Sequence, residues 1–274
     1  MAKLGIMEGR LVPPEAGKFQ SFPRGRWAEE FDLARQVPVS YIEWIYDGYG
    51  ADVNPLIHDP TKLLSHIAAS GVTVRSICAD YFMEFPFVRC SEPERLERWR
   101  MLLQLMELAQ QVGAARIVIP FVDASEIVTS QEAETVARLL NDAVAVAHET
   151  GVELHLETSL DPHEFRALLD RVPDHMIRVN YDIGNSASLG FRAREEIAAY
   201  GERIGSVHVK DRKFGSGTVP LGTGDADFSA IFQGLAQIEY SGDFTLQVAR
   251  SSAGDEVAWA KENRSFVTRY WPLE

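Results

Sequence analysis

Eight short β-rich runs alternate with eight amphipathic helical patterns along these 274 residues, and this alternation constrains the architecture more than any other feature. The strand candidates are Lys3–Met7, Tyr41–Tyr46, Thr73–Asp80, Arg116–Phe121, Glu153–Thr158, Ile177–Asp182, Gly205–Asp211 and Phe244–Arg250. Helical periodicity fills the intervals, around Trp27–Gln36, Thr61–Ser70, Glu94–Val112, Gln131–Thr150, Pro162–Arg171, Arg194–Tyr200, Phe228–Gln237 and Asp255–Arg269. Gly71 and Gly151 directly follow two of these helices, where a C-terminal stop belongs. Such alternation builds a parallel α/β sheet. Eight units over about 250 residues is the usual size of a closed (β/α)8 barrel. No glycine-rich dinucleotide turn follows the first strand to favour an open, doubly wound sheet. No low-complexity linker divides the chain, so the expectation is one α/β domain, a (β/α)8 TIM barrel over residues 1–274.

Side chains on a strand point alternately to opposite faces. In the fifth strand Leu154 and Leu156 oppose Glu153, His155 and Glu157; in the sixth Ile177, Val179 and Tyr181 oppose Arg178, Asn180 and Asp182. In the seventh Val207 and Val209 oppose Ser206, His208 and Lys210; in the eighth Phe244, Leu246 and Val248 oppose Thr245, Gln247 and Ala249. A barrel's outer face packs on its helices, so the apolar sets point outward and the polar sets inward. Buried polar groups need partners. Low in the barrel, Glu153 is expected to meet Arg178, and His155 to meet Asn180. At the top stand Glu157, Asp182, His208 and Gln247, separated by 25, 26 and 39 residues, one βα unit per step. Two carboxylates, an imidazole and an amide oxygen form a donor set for Mn²⁺, Mg²⁺, Co²⁺ or Zn²⁺. Any one of these residues alone fits a metal-free hydrogen-bond network better; four in matched register favour the metal.

Charge and composition narrow the class. The formal net charge of −13 comes without the basic stripe that neutralises phosphates, so no nucleic-acid partner is expected. Two cysteines, Cys78 and Cys90, are too few for a disulfide framework and suit a reducing compartment. No segment approaches the ~20 apolar residues of a membrane helix, and the first residues lack the apolar core of a signal peptide. A cytoplasmic chain without membrane contact, acting on a small molecule, is the expectation.

The stretches HLET (His155–Thr158), NYDIGN (Asn180–Asn185), VHVKD (Val207–Asp211) and VPLGTGDADF (Val219–Phe228) resemble the xylose-isomerase-like barrels, a resemblance that covers essentially the whole chain. That family includes sugar and sugar-phosphate isomerases and epimerases, inosose dehydratases and apurinic-site endonucleases. It implies a metal held by Glu, Asp, His and Glu, which fall here on Glu157, Asp182, His208 and position 247. Position 247 is Gln, which can ligate through oxygen but cannot act as an acid or base. The tagatose-type epimerases use both carboxylates, one on each face of the substrate, and carry His where this chain has Asn185. The endonucleases use a larger histidine-rich site and a basic surface, and neither is visible here.

The implied function is a divalent-metal-dependent isomerase or epimerase of a sugar or sugar phosphate. The metal would bind a carbonyl oxygen and a neighbouring hydroxyl and stabilise an enediolate, with Glu157 as general base. Lys210 is expected to neutralise the enediolate or to pair with an aspartate. Glu43 is a catalytic candidate or an anchor for a ligand histidine. Tyr46, Asp80 and Glu84 are further candidates for a second acid–base role. Substrate contacts are expected from Arg10, Trp44, Asp80, Asn185, Arg212 and Arg250, with an apolar wall from Trp44, Tyr81, Phe82 and Phe121. The glycine-rich turns Gly215–Gly217 and Gly222–Gly224 could form an anion nest. The long first loop, Glu8 through Phe22, could act as a lid. Trp259, Phe266, Tyr270 and Trp271 suit a homo-oligomer contact or the packing of the last helix. Two rivals share the fold: a dehydratase of a keto-polyol such as an inosose, and a non-catalytic sugar-binding barrel.

Overall fold

A computed structural model describes residues 2–273. Its strands β1 (Leu4–Met7), β2 (Tyr41–Ile45), β3 (Thr73–Cys78), β4 (Arg116–Phe121), β5 (Glu153–Thr158), β6 (Ile177–Asp182), β7 (Ile204–Val209) and β8 (Asp243–Leu246) close into a barrel. Every neighbouring pair is parallel, β1 lying between β8 and β2. The eight expected strands are all present. The third, seventh and eighth end early, at Cys78, Val209 and Leu246, although the Gln247 backbone amide still donates to Val209 O at 3.1 Å.

Local chemistry sets the helix ends. Ser91 with Glu94 and Thr129 with Glu132 form capping boxes that open the two longest helices, Glu92–Val112 and Ser130–Thr150. Asp161, Asp227 and Asp255 cap three others through their carboxylates. Gly71, Gly113 and Gly151 close helices in the left-handed conformation. The periodicity did not reveal the short helices Pro55–His58, Tyr81–Glu84 and Ile183–Leu189, nor the hairpin pairing Asp211–Arg212 with Thr218–Val219. Ile183–Leu189 matters to the site, because it starts at the end of β6.

The parity of the strands is realised. Leu154, Leu156, Val179, Val207 and Val209 are buried between barrel and helices. The interior is polar in two layers. In the lower one, Asp243 accepts from Arg75 Nε (2.5 Å) and Arg116 Nη1 (2.9 Å), and Arg116 Nη2 donates to the Tyr41 hydroxyl at 3.0 Å. His155 bonds Glu153 (2.8 Å) and Ser206 (2.7 Å). Ser206 in turn donates to Asn180 Oδ1 at 2.6 Å, so His155 and Asn180 are linked through a hydroxyl rather than directly. Arg178 and Glu153 pair at 3.7 Å, as expected. Position 205 must be glycine, since a Cβ there would overlap the His155 ring.

The C-terminal aromatics turn toward the fold. Phe266 packs edge-on to Phe228, Tyr270 stacks on Phe232, and Trp271 packs against Phe244. Trp259 Nε1 donates to Ala249 O. All four residues thus make contacts within the fold, and Tyr270 also keeps an exposed face. Among the described residues, no helix is long and apolar enough to cross a membrane.

Candidate active site

The C-terminal mouth of the barrel opens into a cavity of about 710 Å³ whose lining includes Asp80, Glu157, Asn185, Lys210, Arg212 and Gln247. Beneath it, Glu157, Asp182 and His208 bring a carboxylate oxygen, a second carboxylate oxygen and an imidazole nitrogen within 4.8 Å of one another. All three are buried and come from β5, β6 and β7. Gln247, also buried, follows β8 on the next side.

Hydrogen bonds fix each of these side chains. Glu157 accepts from Asn180 Nδ2 (2.8 Å) on one oxygen and from Asn185 Nδ2 (2.6 Å) on the other. Asp182 caps the helix Ile183–Leu189, accepting the Asn185 amide at 2.8 Å on Oδ1, while Lys210 Nζ reaches its Oδ2 at 3.3 Å. His208 Nε2 lies 2.6 Å from Glu43 Oε1. A carboxylate only accepts, so Nε2 carries the hydrogen. Nδ1 then points to Glu157 Oε2 at 3.1 Å and Asp182 Oδ2 at 3.8 Å.

The electrostatics ask for a cation at this point. Burial alone would lower the His208 pKa, but Glu43, Asp182 and Glu157 outweigh it and hold the imidazole well above its ordinary value. Burial would raise Asp182, and Lys210 and His208 overcome that and hold it well below the usual carboxylate range. His208 Nδ1 and Gln247 Oε1 are both buried without a hydrogen-bond partner. Gln247 Oε1 is an acceptor whose burial without a partner costs about 1–3 kcal/mol, and Nδ1, 3.1 Å from Glu157 Oε2, is a lone-pair donor whenever a cation replaces the proton that the carboxylates favour there. A divalent cation among Glu157, Asp182, His208 and Gln247 would satisfy both, so the donor set fits the metal.

The sequence profile of the xylose isomerase-like TIM barrel family matches residues 31–270. The chain belongs to that family. L-ribulose-5-phosphate 3-epimerase UlaE of Escherichia coli is 26% identical to this xylose isomerase-like barrel over 268 residues, covering 90% of this chain and 91% of its own. The solved structure of an L-ribulose 3-epimerase superposes with a TM-score of 0.76 at 21% identity, over 98% of this chain and 94% of the other. The IolI protein, solved with a bound zinc atom, superposes with a TM-score of 0.78 at 16% identity, over 99% and 100%.

Several residues proposed from sequence for the site of this xylose isomerase-like barrel lie elsewhere. Trp44 is fully buried on the outer face of β2 against Phe22, Trp27 and Phe31, with its Nε1 on Asn54, and cannot touch a substrate. Phe82 and Phe121 are buried as well; Phe19, Met83 and Leu189 supply the apolar lining instead. Glu43 is sealed behind His208, accepting from its Nε2, and does not line the cavity. Glu84 accepts from the Gly48 amide and does not line the cavity.

The two arginines brace the first loop and do not reach into the cavity. Arg10 donates to Val248 O, Phe19 O and Gln20 Oε1, and Arg250 donates to Phe19 O, Gly9 O and Val12 O. The turn Gly222–Gly224 does not offer an anion nest, because Asp211 already takes the amides of Gly222 (2.8 Å), Gly224 (2.9 Å) and Ala226 (3.3 Å). Asp80, Asn185, Lys210 and Arg212 do line the cavity, and Arg212 Nη1 donates to Asn185 Oδ1 at 2.8 Å. Gln20 escaped the sequence reading. It lines the cavity from the first loop and bonds both Gln247 and Asp80. No periodicity marks a loop residue, so only the loop's length pointed to that segment.

Proposed function

We propose that this chain is a divalent-metal-dependent isomerase or epimerase of a sugar or sugar phosphate. The observation that carries the reading is the pair of orphaned acceptors, His208 Nδ1 and Gln247 Oε1, buried around Glu157 and Asp182 at the mouth of a polar cavity. The epimerase names of the relatives support the same class of chemistry. Glu157, Asp182, His208 and Gln247 would hold Mn²⁺, Mg²⁺, Co²⁺ or Zn²⁺. Bound there, the ion supplies a Lewis acid that acidifies the C–H beside a substrate carbonyl.

The chain's own residues do the rest. Glu157, oriented by the amides of Asn180 and Asn185, takes the proton from that carbon. Glu43 keeps the His208 ring turned so that Nδ1 faces the site. Lys210, between Asp182 and Asn185, stabilises the oxygen that gains charge as the proton leaves. Arg212, at the cavity wall beside Gly217 and Thr218, is the cation that a terminal phosphate or hydroxyl would meet.

Elemental analysis and deuterium uptake from heavy water test the reading together. Wild type purified without chelator should carry about one equivalent of a divalent transition metal, and His208→Ala should lose it. Incubated with L-ribulose 5-phosphate and a panel of free ketoses, wild type should exchange a substrate C–H proton. Glu157→Gln should exchange at least about a hundredfold more slowly. A wild type that stays empty with Mn²⁺, Co²⁺ and Zn²⁺ sinks the metal site, and saturable sugar binding without exchange sinks the catalytic role.

A further inference from the structure

Proton transfer on both faces of a carbon needs two acid–base groups, and the amide at position 247 leaves the ligand set with only Glu157 for that work. Gln247 Nε2 donates to Gln20 Oε1 at 3.2 Å, and Gln20 Nε2 donates to Asp80 Oδ2 at 2.7 Å. A single amide side chain from the first loop thus connects the place where a second carboxylate is missing to a carboxyl that is present. Asp80 follows β3, which stands four strands from β7 in either direction around the closed barrel, so it faces the cavity from the side opposite His208. It lines the same cavity as Glu157, Lys210 and Gln247.

We propose that Asp80, which reaches the cavity two strands around the barrel from Glu157, is the second acid–base residue of the site, serving the substrate face that Glu157 does not and making the barrel an epimerase. The inference rests on the reading of the cavity as a proton-transfer centre for ketoses. Its environment suits the task. One Asp80 oxygen accepts from Gln20 and the other from Cys78 Sγ at 3.2 Å, so neutral donors orient the carboxyl, and the Arg10 guanidinium acts on it only from behind Gln20. Withdrawal from bulk water raises its pKa to about 6, against the lowering effect of the Gln20 and Cys78 bonds and with help from Asp47 and Glu157. A carboxyl near that value can both give and take a proton around neutrality.

In one direction Glu157 takes the proton from the carbon beside the carbonyl. The C–H electron pair becomes the new carbon–carbon π bond, and the carbonyl π pair moves onto oxygen. Asp80, entering as the neutral acid, gives its proton to the same carbon from the other face, and the oxygen pair re-forms the carbonyl. Glu157 ends protonated and Asp80 ionised, and proton exchange with solvent restores the starting state. The reverse epimerisation runs with the roles exchanged.

The test uses full-length protein loaded with Mn²⁺, in heavy water, with L-ribulose 5-phosphate or whichever panel ketose the wild type turns over fastest. Asp80→Asn, with Asp80→Ser as a second variant and metal content measured in both, should lose epimerisation by at least about a hundredfold. It should still introduce solvent deuterium at the carbon facing Glu157, with retained configuration. Gln247→Glu in the Asp80→Asn background should return part of the epimerisation, since it restores a carboxylate one side chain away. If Asp80→Asn epimerises within about threefold of wild type, or if exchange and epimerisation fall together, Asp80 is not the second group. A wild type that exchanges no C–H proton with any ketose overturns the functional reading itself, an outcome distinct from exchange that ignores residue 80.

Discussion

Two buried histidines inside this barrel are pushed in opposite directions. His155 on β5 belongs to the lower polar layer, where burial lowers its pKa to about 4; the Glu153 hydrogen bond opposes the shift, and Arg116 and Arg178 reinforce it. His208 on β7 belongs to the upper layer, where burial would lower its pKa but the carboxylates of Glu43, Asp182 and Glu157 outweigh it and raise it, so that positive charge, a proton or a metal ion, is favoured at Nδ1. The difference follows from the composition of each layer. The lower one gathers Arg75, Arg116 and Arg178 around Glu153 and Asp243, whereas the upper one gathers Glu43, Glu157 and Asp182 around Lys210 and the imidazole. Their unpartnered atoms differ in kind as well. Arg116 Nε, below, is a donor with nothing to offer a cation, while Gln247 Oε1, above, presents lone pairs and His208 Nδ1 presents one when it carries no proton. Polarity inside a barrel is therefore not itself a sign of function; the sign of the field and the type of orphaned atom are.

The largest effect should come from breaking the lower layer. Arg116→Ala removes the partner of Asp243 and of the Tyr41 hydroxyl from a buried network and should cost about 3–5 kcal/mol of stability. Its metal stoichiometry should match wild type, because Arg116 touches none of the four upper donors. Urea denaturation midpoints and elemental analysis check the two halves, and a mutant that loses metal while staying folded would erase the distinction between the layers.

The lower histidine supplies a second, smaller effect through pH. Its folded pKa lies below the unfolded value of about 6.5, so the unfolded chain binds more protons as the solution is acidified. The stability tied to a neutral His155 is fully present above about 6.5 and is lost as pH falls toward about 4, by up to about 3 kcal/mol. His155→Gln should flatten the stability curve in that window. A variant curve as steep as wild type there would mean that His155 is not the group being titrated.

The sequence made the two layers legible to different degrees. Strand parity placed Glu157, Asp182 and His208 together because three consecutive strands alternate without interruption, and it predicted the Glu153–Arg178 pair for the same reason. The same rule, applied to β2, would have corrected an expectation. Positions 43 and 44 cannot share a face, so Glu43 beside His208 obliges Trp44 to lie outside the barrel. Arg10 and Arg250 misled for a different reason. A guanidinium in a loop looks like a substrate anchor, but here backbone carbonyls of the first loop and of Val248 absorb its donors. Gln20 reaches the site from a segment with no periodicity, and its place follows from how that loop is pinned.

The smallest expected effect concerns the one position where the upper layer departs from an all-carboxylate-and-histidine set. Gln247→Glu exchanges an orphaned amide oxygen for a charged one beside Glu157 and Asp182. With the ion present, the added charge should tighten Mn²⁺ binding on the order of tenfold, about 1.4 kcal/mol. Without it, a third negative side chain shares the buried mouth, so the chelated protein should melt earlier than chelated wild type. The opposite signs are what make the variant informative. A role limited to hydrogen bonding with Gln20 and Met7 would lower stability in both conditions, because the donor at Nε2 is lost whether or not an ion is bound. Competition titration with Mn²⁺ and paired melting curves with and without chelator separate these cases, and an unchanged affinity would remove Gln247 from the ligand set while leaving Glu157, Asp182 and His208 in it.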